Sequence, residues 1–219
     1  MFSADPVAPD LQVKSLMNVL MLYNDTYLMD ALLRLDMMPE DPNDVFQNAC
    51  AWKKTTCDEK GSITIMYWRG IGNLPLDISW LPPTLMHANL HFKAVDSYQF
   101  PTRRLPRTLV TCEFSSCRLR GSLDLETLPA VIEVLDLHYN YFAGTVRLTK
   151  LPETMQGIDL SGNDIRKVVV RNASIPPCLR QVSFERNRSF DFLPLDGWPV
   201  DKRINERRYK GPRQQQIDS

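Results

Sequence analysis

Residues 128–140 read LPAVIEVLDLHYN, and residues 151–163 read LPETMQGIDLSGN. The two stretches are 23 residues apart and align without a gap, with a Leu-Pro pair at the start and an asparagine at the end. Before the asparagine, apolar residues alternate with other residues, which is typical of a strand with one buried face. The alignment indicates an internal repeat, and an internal repeat decides the fold of the chain that carries it.

A Leu-Pro or Ile-Pro pair opens five segments of the chain at a nearly constant spacing. Successive pairs follow one another at 24, 23, 23 and 24 residues. The pairs are Leu81-Pro82, Leu105-Pro106, Leu128-Pro129, Leu151-Pro152 and Ile175-Pro176. Proline restricts the residue before it and favours a turn at the start of each unit. A unit of this length cannot bury an apolar face alone, so stacked neighbours must share one core.

Each unit also carries the pattern LxxLxLxxN. Three units match it well: Ile132, Leu135, Leu137 and Asn140; Met155, Ile158, Leu160 and Asn163; Leu179, Val182, Phe184 and Asn187. Three earlier units match loosely: Leu109, Cys112, Phe114 and Cys117; Leu85, Ala88, Leu90 and Lys93; Ser62, Ile65, Tyr67 and Gly70. The pattern predicts about six parallel strands. Because an asparagine amide both donates and accepts hydrogen bonds, we expect the asparagines to bond to neighbouring backbone in a ladder.

These motifs resemble plant-type leucine-rich repeats, whose strand and loop read LxLxxNxFxGxI; residues 140–146 (NYFAGTV) are similar to that loop. Cys50, Trp52 and Cys57 resemble the CxW…C cap that precedes such arrays. The short repeats led by Leu-Pro are also similar to those of leucine-rich-repeat proteins of single-celled parasites. The resemblance implies an α/β solenoid, a leucine-rich-repeat array of about six parallel strands with a helical N-terminal cap.

The repeats and their flanks divide the chain into three parts. Residues 1–60 form the helical cap, residues 61–198 form the repeats, and residues 199–219 form a basic polar tail. Within the cap, apolar residues at helical spacing predict helix over residues 11–35, with a break near residues 24–26. The cap would cover the open edge of the first strand.

Composition limits the classes of partner. The formal net charge is zero, so the chain has no basic field to attract nucleic acid, and a nucleic-acid partner is unlikely. The most apolar run, residues 19–23, is too short to span a membrane. We therefore expect a protein partner, with no membrane span and no small-molecule substrate.

The cysteines and the first residues bear on the compartment. The first 13 residues hold no Lys or Arg and no apolar core follows, so no secretory signal is evident and a cytoplasmic location is predicted. Cys50 and Cys57 are then expected to be free thiols, whereas in a secreted cap they would form a disulfide. An incomplete N-terminus would leave a secreted or surface form open.

The register of the strands predicts which side chains face outward on the concave side of the array. The predicted partner-binding residues are Trp68, His91, Phe92, Glu113, Asp136, His138, Tyr139 and Asp159. Aromatic side chains beside charged ones are typical of protein-binding surfaces. A second interpretation stays open, because Asp at the position of Asp136 is what plant-type repeats generally carry.

No residue pattern favours catalysis, a metal or a cofactor. On a strand, His87 and His91 would be separated by roughly 13 Å at about 3.3 Å per residue, too far to share one zinc ion. Cys112 and Cys117 occupy core positions, and no phosphate-binding glycine loop occurs.

The sequence therefore predicts a non-catalytic protein-binding module that recognises its partner through the concave face. The alternative is a structural subunit of a larger assembly, held through the cap and the basic C-terminal tail.

Overall fold

Parallel strands stacked one repeat after another form the larger of two sheets in the computed structural model, which describes residues 9–20, 25–69, 76–91, 100–187 and 190–205. The strands are β1 (Thr55–Cys57), β2 (Ile63–Trp68), β3 (His87–Leu90), β4 (Thr111–Glu113), β5 (Arg120–Gly121), β6 (Val134–Asp136), β7 (Tyr141–Leu148), β8 (Gly157–Asp159), β9 (Asp164–Val170), β10 (Gln181–Ser183), β11 (Asp191–Pro194) and β12 (Ile204–Asn205). The main sheet has the order β1-β2-β3-β4-β6-β8-β10-β12. All neighbouring pairs in it are parallel except β1 with β2. This is the predicted solenoid.

A second sheet lies on the return path of the later repeats. Its order is β11-β9-β7-β5, and its neighbouring strands are also parallel. The burial pattern of β7 buries Phe142, Val146 and Leu148, so one face of this sheet packs on the same core. Each later repeat thus contributes one strand to each sheet.

One column of the core takes one residue from each repeat. In the main sheet, aligned inward positions hold Met66, Ala88, Cys112, Leu135, Ile158, Val182 and Ile204, all nearly or fully buried. Phe100 meets Phe114 and Phe142 edge to face between the sheets, with ring centroids 5.9 and 6.0 Å apart. Because burial contributes about 25 cal/mol per Å² of apolar surface, the core as a whole is the main source of stability.

The predicted asparagine ladder forms where each repeat leaves the main sheet. The Asn140 Oδ1 accepts from the backbone N–H groups of Cys117 (3.1 Å) and Leu119 (3.0 Å) in the previous repeat. Its Nδ2 donates to the carbonyls of Phe114 (2.8 Å) and Leu137 (2.9 Å). Asn163 and Asn187 repeat this pattern one and two units later. The ladder joins each turn to the turn before it.

The N-terminal segment packs on the first strands. It holds α1 (Pro9–Val19) and α2 (Asp25–Arg34), and Leu16, Leu20 and Leu32 are fully buried. The Gln12 side chain accepts from the Ile63 N–H (2.8 Å) and donates to the Gly61 carbonyl (2.6 Å). Within the described ranges, no helix has the length and apolar character needed to cross a membrane.

The array extends beyond its predicted end. Ile204 and Asn205 of β12 pair in parallel with Val182 and Ser183, and Ile204 is buried. The polar tail predicted over residues 199–219 therefore begins too early, because its first part supplies the last strand. The sequence signal is the pair Trp198-Pro199, which follows Ile175-Pro176 after 23 residues and continues the spacing of the earlier pairs.

The Asn140→Ala variant tests the ladder. Truncation leaves the buried N–H groups of Cys117 and Leu119 without the acceptor Asn140 Oδ1. At about 1–3 kcal/mol for each buried group left unpaired, we expect the free energy of unfolding to fall by about 3 kcal/mol in urea denaturation.

The matched control is Asn187→Ala, because Asn187 lies in the last of the three ladder repeats and its Oδ1 accepts the Ile165 N–H at 3.1 Å. The loss there should be smaller. No loss at Asn140 would contradict the ladder as a source of stability, whereas equal losses at the two positions would contradict only the expected difference between them.

Candidate functional site

The pairing of the strands fixes which side chains line the solvent-facing side of the main sheet, here called the concave face. Two rows of outward positions run across the strands. The first row holds Ile65, His87, Thr111, Val134, Gly157 and Gln181. The second holds Tyr67, Asn89, Glu113, Asp136, Asp159, Ser183 and Asn205. The predicted Glu113, Asp136 and Asp159 are therefore neighbours in one row.

The prediction for Trp68 is wrong. Trp68 is 0% exposed, whereas Tyr67 is 43% exposed and takes the outward position. The sequence pattern places Ile65 inward as the counterpart of Ala88, which follows it by 23 residues. In the structure the inward counterpart of Ala88 is Met66, so the spacing between the two strands is 22 residues. A shift of one residue moves every side chain of a strand to the opposite face, so Tyr67 replaces Trp68 on the concave face.

Glu113 lies in the middle of an ion-pair and hydrogen-bond network. The Asn89 Nδ2 donates to the Glu113 carboxylate, and Arg69 lies 3.8 Å from the same carboxylate. Arg69 also donates through Nε to Asn89 Oδ1 at 3.0 Å, and its guanidinium lies 5.1 Å from the Tyr67 ring centroid. Burial and the neighbouring Asp136 raise the pKa of Glu113, while Arg69 and His138 oppose the rise.

Asp136 and His138 form a close pair on the next strand. The Asp136 Oδ1 lies 2.5 Å from His138 Nδ1 and also accepts the His138 backbone N–H at 3.1 Å. The backbone bond closes a local turn that fixes the carboxylate, and the imidazole then lies against it. Both side chains are partly exposed on the concave face.

Asp159 is held in the same way one repeat later. Its Oδ1 accepts the Ser161 N–H at 2.9 Å, and the residue is only 8% exposed. Desolvation by burial raises the pKa of Asp159, hydrogen bonds from Ser161 oppose the rise, and the charge of Asp136 adds to it. One ligand atom each from Asp136, His138 and Asp159 can be chosen so that all three lie within 4.8 Å of one another.

Tyr139 is exposed as predicted, and three neighbours contact its side chain. The backbone of Tyr139 has a φ of 52°. Gly162 lies beneath the Tyr139 ring, and a Cβ at that position would come within 2.4 Å of a ring atom, so the close approach requires a glycine. The Arg186 Nη1 donates to the Tyr139 hydroxyl at 2.8 Å. The ring also meets the His138 imidazole edge to face at 5.2 Å.

Two predicted site residues remain, His91 and Phe92. His91 is exposed just after β3, and its backbone N–H donates to the Trp68 carbonyl at 2.9 Å. His87 Nδ1 lies 3.0 Å from Thr111 Oγ1. Phe92 lies outside the described residues.

The five cysteines divide into one bonded pair and three thiols. Cys112 and Cys117 are buried free thiols, as predicted, and burial raises the pKa of Cys112 well above its ordinary value. Cys50 and Cys57 form a disulfide, so the expectation of free thiols there is wrong. A short helical turn places Cys50 beside β1, which ends at Cys57, with the two Cα atoms 5.7 Å apart. Disulfides persist in oxidising compartments, so the predicted cytoplasmic location has no support.

Comparisons with known proteins show the fold. No family model matches the sequence, and no curated protein matches it. Among solved structures, the leucine-rich-repeat ectodomain of the receptor kinase SOBIR1 from Arabidopsis thaliana is similar with a TM-score of 0.55 and 18% identity, over 78% of this chain and 97% of that one. Pollen Receptor Kinase 3 is similar with a TM-score of 0.50 and 13% identity, over 83% of this chain and 96% of that one.

The protein therefore has the leucine-rich-repeat fold, a solenoid of parallel strands. Its motifs, ladder and sheet order agree with this fold, and the resemblance to leucine-rich-repeat proteins is confirmed.

Paired truncations at Tyr67 and Trp68 test the corrected register. Trp68→Ala removes a fully buried indole, so we expect the free energy of unfolding to fall by about 3–5 kcal/mol. Tyr67→Ala removes a half-exposed ring and should cost no more than about 1 kcal/mol. Urea denaturation of both variants measures the difference, and the reverse order of the two losses would favour the register predicted from the sequence.

Proposed function

We propose that the protein is a non-catalytic module that binds a protein partner through the concave face. The observation that supports this most strongly is a pair of tyrosine–arginine contacts next to the acidic residues. Tyr67 lies in the same row as Glu113, with Arg69 against its ring, and Tyr139, which follows Asp136 by three residues, accepts a hydrogen bond from Arg186. Tyrosine and arginine are enriched among the residues that contribute most to protein-binding energy.

The rigidity and the charge of the concave face also support binding. The parallel strands of the main sheet have their inward residues locked in the core, so the outward side chains are held on a rigid support. A rigid surface loses little conformational freedom on association, which favours affinity. The row of Glu113, Asp136 and Asp159 gives the centre of the face a negative potential, so we propose that the partner presents basic groups to it.

A photo-crosslinking experiment tests the face and captures the partner whatever its identity. A photoreactive phenylalanine analogue replaces Tyr67 on the concave face, Tyr139 next to that face or, as the control, Tyr141 in β7 of the second sheet. Tyr139 and Tyr141 are 47% and 48% exposed, so these two probes are equally accessible. We expect a discrete crosslinked protein from position 139 and from position 67, and none from position 141.

The crosslinked partner then allows a measurement of affinity. Glu113→Lys should weaken binding by about tenfold or more, since reversing one central charge costs at least about 1.4 kcal/mol. Glu153→Lys, a charge reversal at an exposed residue outside both outward rows, is the matched control and should change binding by less than twofold. Crosslinking only from position 141, or equal effects of the two reversals, would contradict the concave face as the binding site.

The same binding measurement tests the alternative, in which the protein is a subunit of a larger assembly held through the basic tail. The truncation must follow Asn205, because β12 belongs to the sheet. Loss of the partner on this truncation, with Glu113→Lys still binding normally, would favour the subunit interpretation.

We also propose that the protein acts in an oxidising compartment, as a secreted or cell-surface protein. The Cys50–Cys57 disulfide supports this proposal, and the similar SOBIR1 structure is the ectodomain of a receptor kinase.

Thiol mapping in the native cell tests the compartment. Free thiols are alkylated before lysis, and the peptides are then mapped without reduction. We expect Cys50 and Cys57 to be joined and Cys178, the exposed free thiol, to be alkylated. Alkylation of both Cys50 and Cys57 would contradict the proposal.

A further inference from the structure

Two adjacent repeats bring a mixed set of metal-binding groups together on the concave face. Asp136 of β6 and Asp159 of β8 occupy paired positions, and His138 follows Asp136 by two residues. Neighbouring strands lie about 4.8 Å apart, so paired side chains on one face can reach a common point. The spacing of the histidines from one another does not reveal this combination, because two of the three groups are carboxylates.

We propose that Asp136, His138 and Asp159 form a binding site for one divalent transition-metal ion, with Zn²⁺ as the best match. This inference does not rest on the proposed partner-binding function.

The geometry is close to that of a zinc site. The three ligand atoms all lie within 4.8 Å of one another. In a tetrahedral zinc site with ligands at about 2.0–2.2 Å, the ligand atoms lie about 3.3–3.6 Å from one another. A separation as large as 4.8 Å must therefore close by about 1.2–1.5 Å, and the 2.5 Å contact between Asp136 and His138 must open by about 1 Å. Rotation of the imidazole away from Asp136 opens that contact.

The charges around the three residues also favour a cation. In the described part of the chain, neither Asp136 nor Asp159 forms a salt bridge with Arg or Lys. The nearby arginines are engaged elsewhere: Arg69 with Glu113, and Arg186 with Glu185 and Tyr139. Two carboxylates held side by side in a partly buried place repel each other, and a bound cation removes that repulsion.

The donor types select the class of metal. Mg²⁺ and Ca²⁺ take oxygen ligands, whereas an imidazole nitrogen beside two carboxylates suits zinc and related first-row ions. Three protein ligands leave a fourth position of a tetrahedral ion for water or another small ligand.

The backbone holds two of the three ligands in place. The Asp136 and Asp159 carboxylates each accept a backbone N–H through Oδ1, and this bond limits the rotation of the side chain. Asparagine keeps the same Oδ1 acceptor but loses the charge. Asp136→Asn and Asp159→Asn therefore remove the metal ligand while preserving the local turn.

Calorimetric titration of full-length, tag-free protein with zinc chloride tests the site. All samples carry Cys178→Ser, because Cys178 is an exposed thiol that would itself bind zinc. Serine suits this position because the corresponding residues of other repeats already carry a hydroxyl. Those residues are Thr84, Thr108 and Thr154, and each donates its hydroxyl to a backbone carbonyl, as Cys178 donates its thiol. We expect one zinc ion per chain, and affinity reduced at least about tenfold in Asp136→Asn, Asp159→Asn and His138→Gln.

His91→Gln is the matched control, because His91 is an exposed histidine that lies outside the three-residue set. It should keep the affinity within twofold. Circular dichroism and thermal unfolding without metal show whether each variant is folded, and X-ray absorption of the zinc-loaded parent should show only N and O neighbours near 2.0–2.2 Å.

Three results would overturn the proposal: no zinc binding by the folded parent, unchanged binding in folded Asp136→Asn and His138→Gln, or sulfur in the zinc shell. Each of these outcomes leaves the concave-face crosslinking experiment unaffected, so the two proposals fail separately.

Discussion

The asparagine ladder is the interaction on which the rest of the structure depends. Where a repeat leaves the main sheet, its backbone turns and several N–H and carbonyl groups lose their strand partners. Asn140, Asn163 and Asn187 bond to these groups in their own repeat and in the one before. Buried backbone groups left unpaired would cost more than any single apolar contact returns, so the turns can be buried only because the ladder exists.

The ladder also fixes the register, and the register places the site. Each asparagine ties one turn to the next, so corresponding residues of successive repeats come to lie side by side. Glu113, Asp136 and Asp159 are therefore neighbours in space although they are 23 residues apart in sequence. Like charges directly opposite one another on neighbouring strands repel each other. The stability of the packed core beneath these residues keeps them side by side. Burial raises the pKa values of Glu113 and Asp159, and the charge of Asp136 adds to the rise.

The sequence predicts those repeats best that contain the full pattern. The positions from Ile132 to Asn187 occupy the core and ladder as expected, because the leucine spacing and the asparagine give independent indications of the same register. The first repeat lacks the asparagine, and its strand precedes the next by 22 residues where the pattern assumes 23. Without the asparagine no second signal corrects this difference, so the pattern assigns Trp68 to the wrong face. The Asp136–His138–Asp159 cluster depends on contact between strands, which spacing within one repeat does not reveal.

The three proposed metal ligands come from two consecutive repeats, so duplication and deletion of a repeat affect the site differently. Duplication of either repeat still leaves an Asp-x-His strand beside an Asp strand, so the array can grow at this place and keep the ligands. Deletion of the repeat that carries Asp159 brings Ser183 next to Asp136, because Ser183 is its counterpart one unit later. The sheet would close without a gap, yet the ligands would be lost. Under selection for the site, this stretch of the gene can lengthen but cannot shorten.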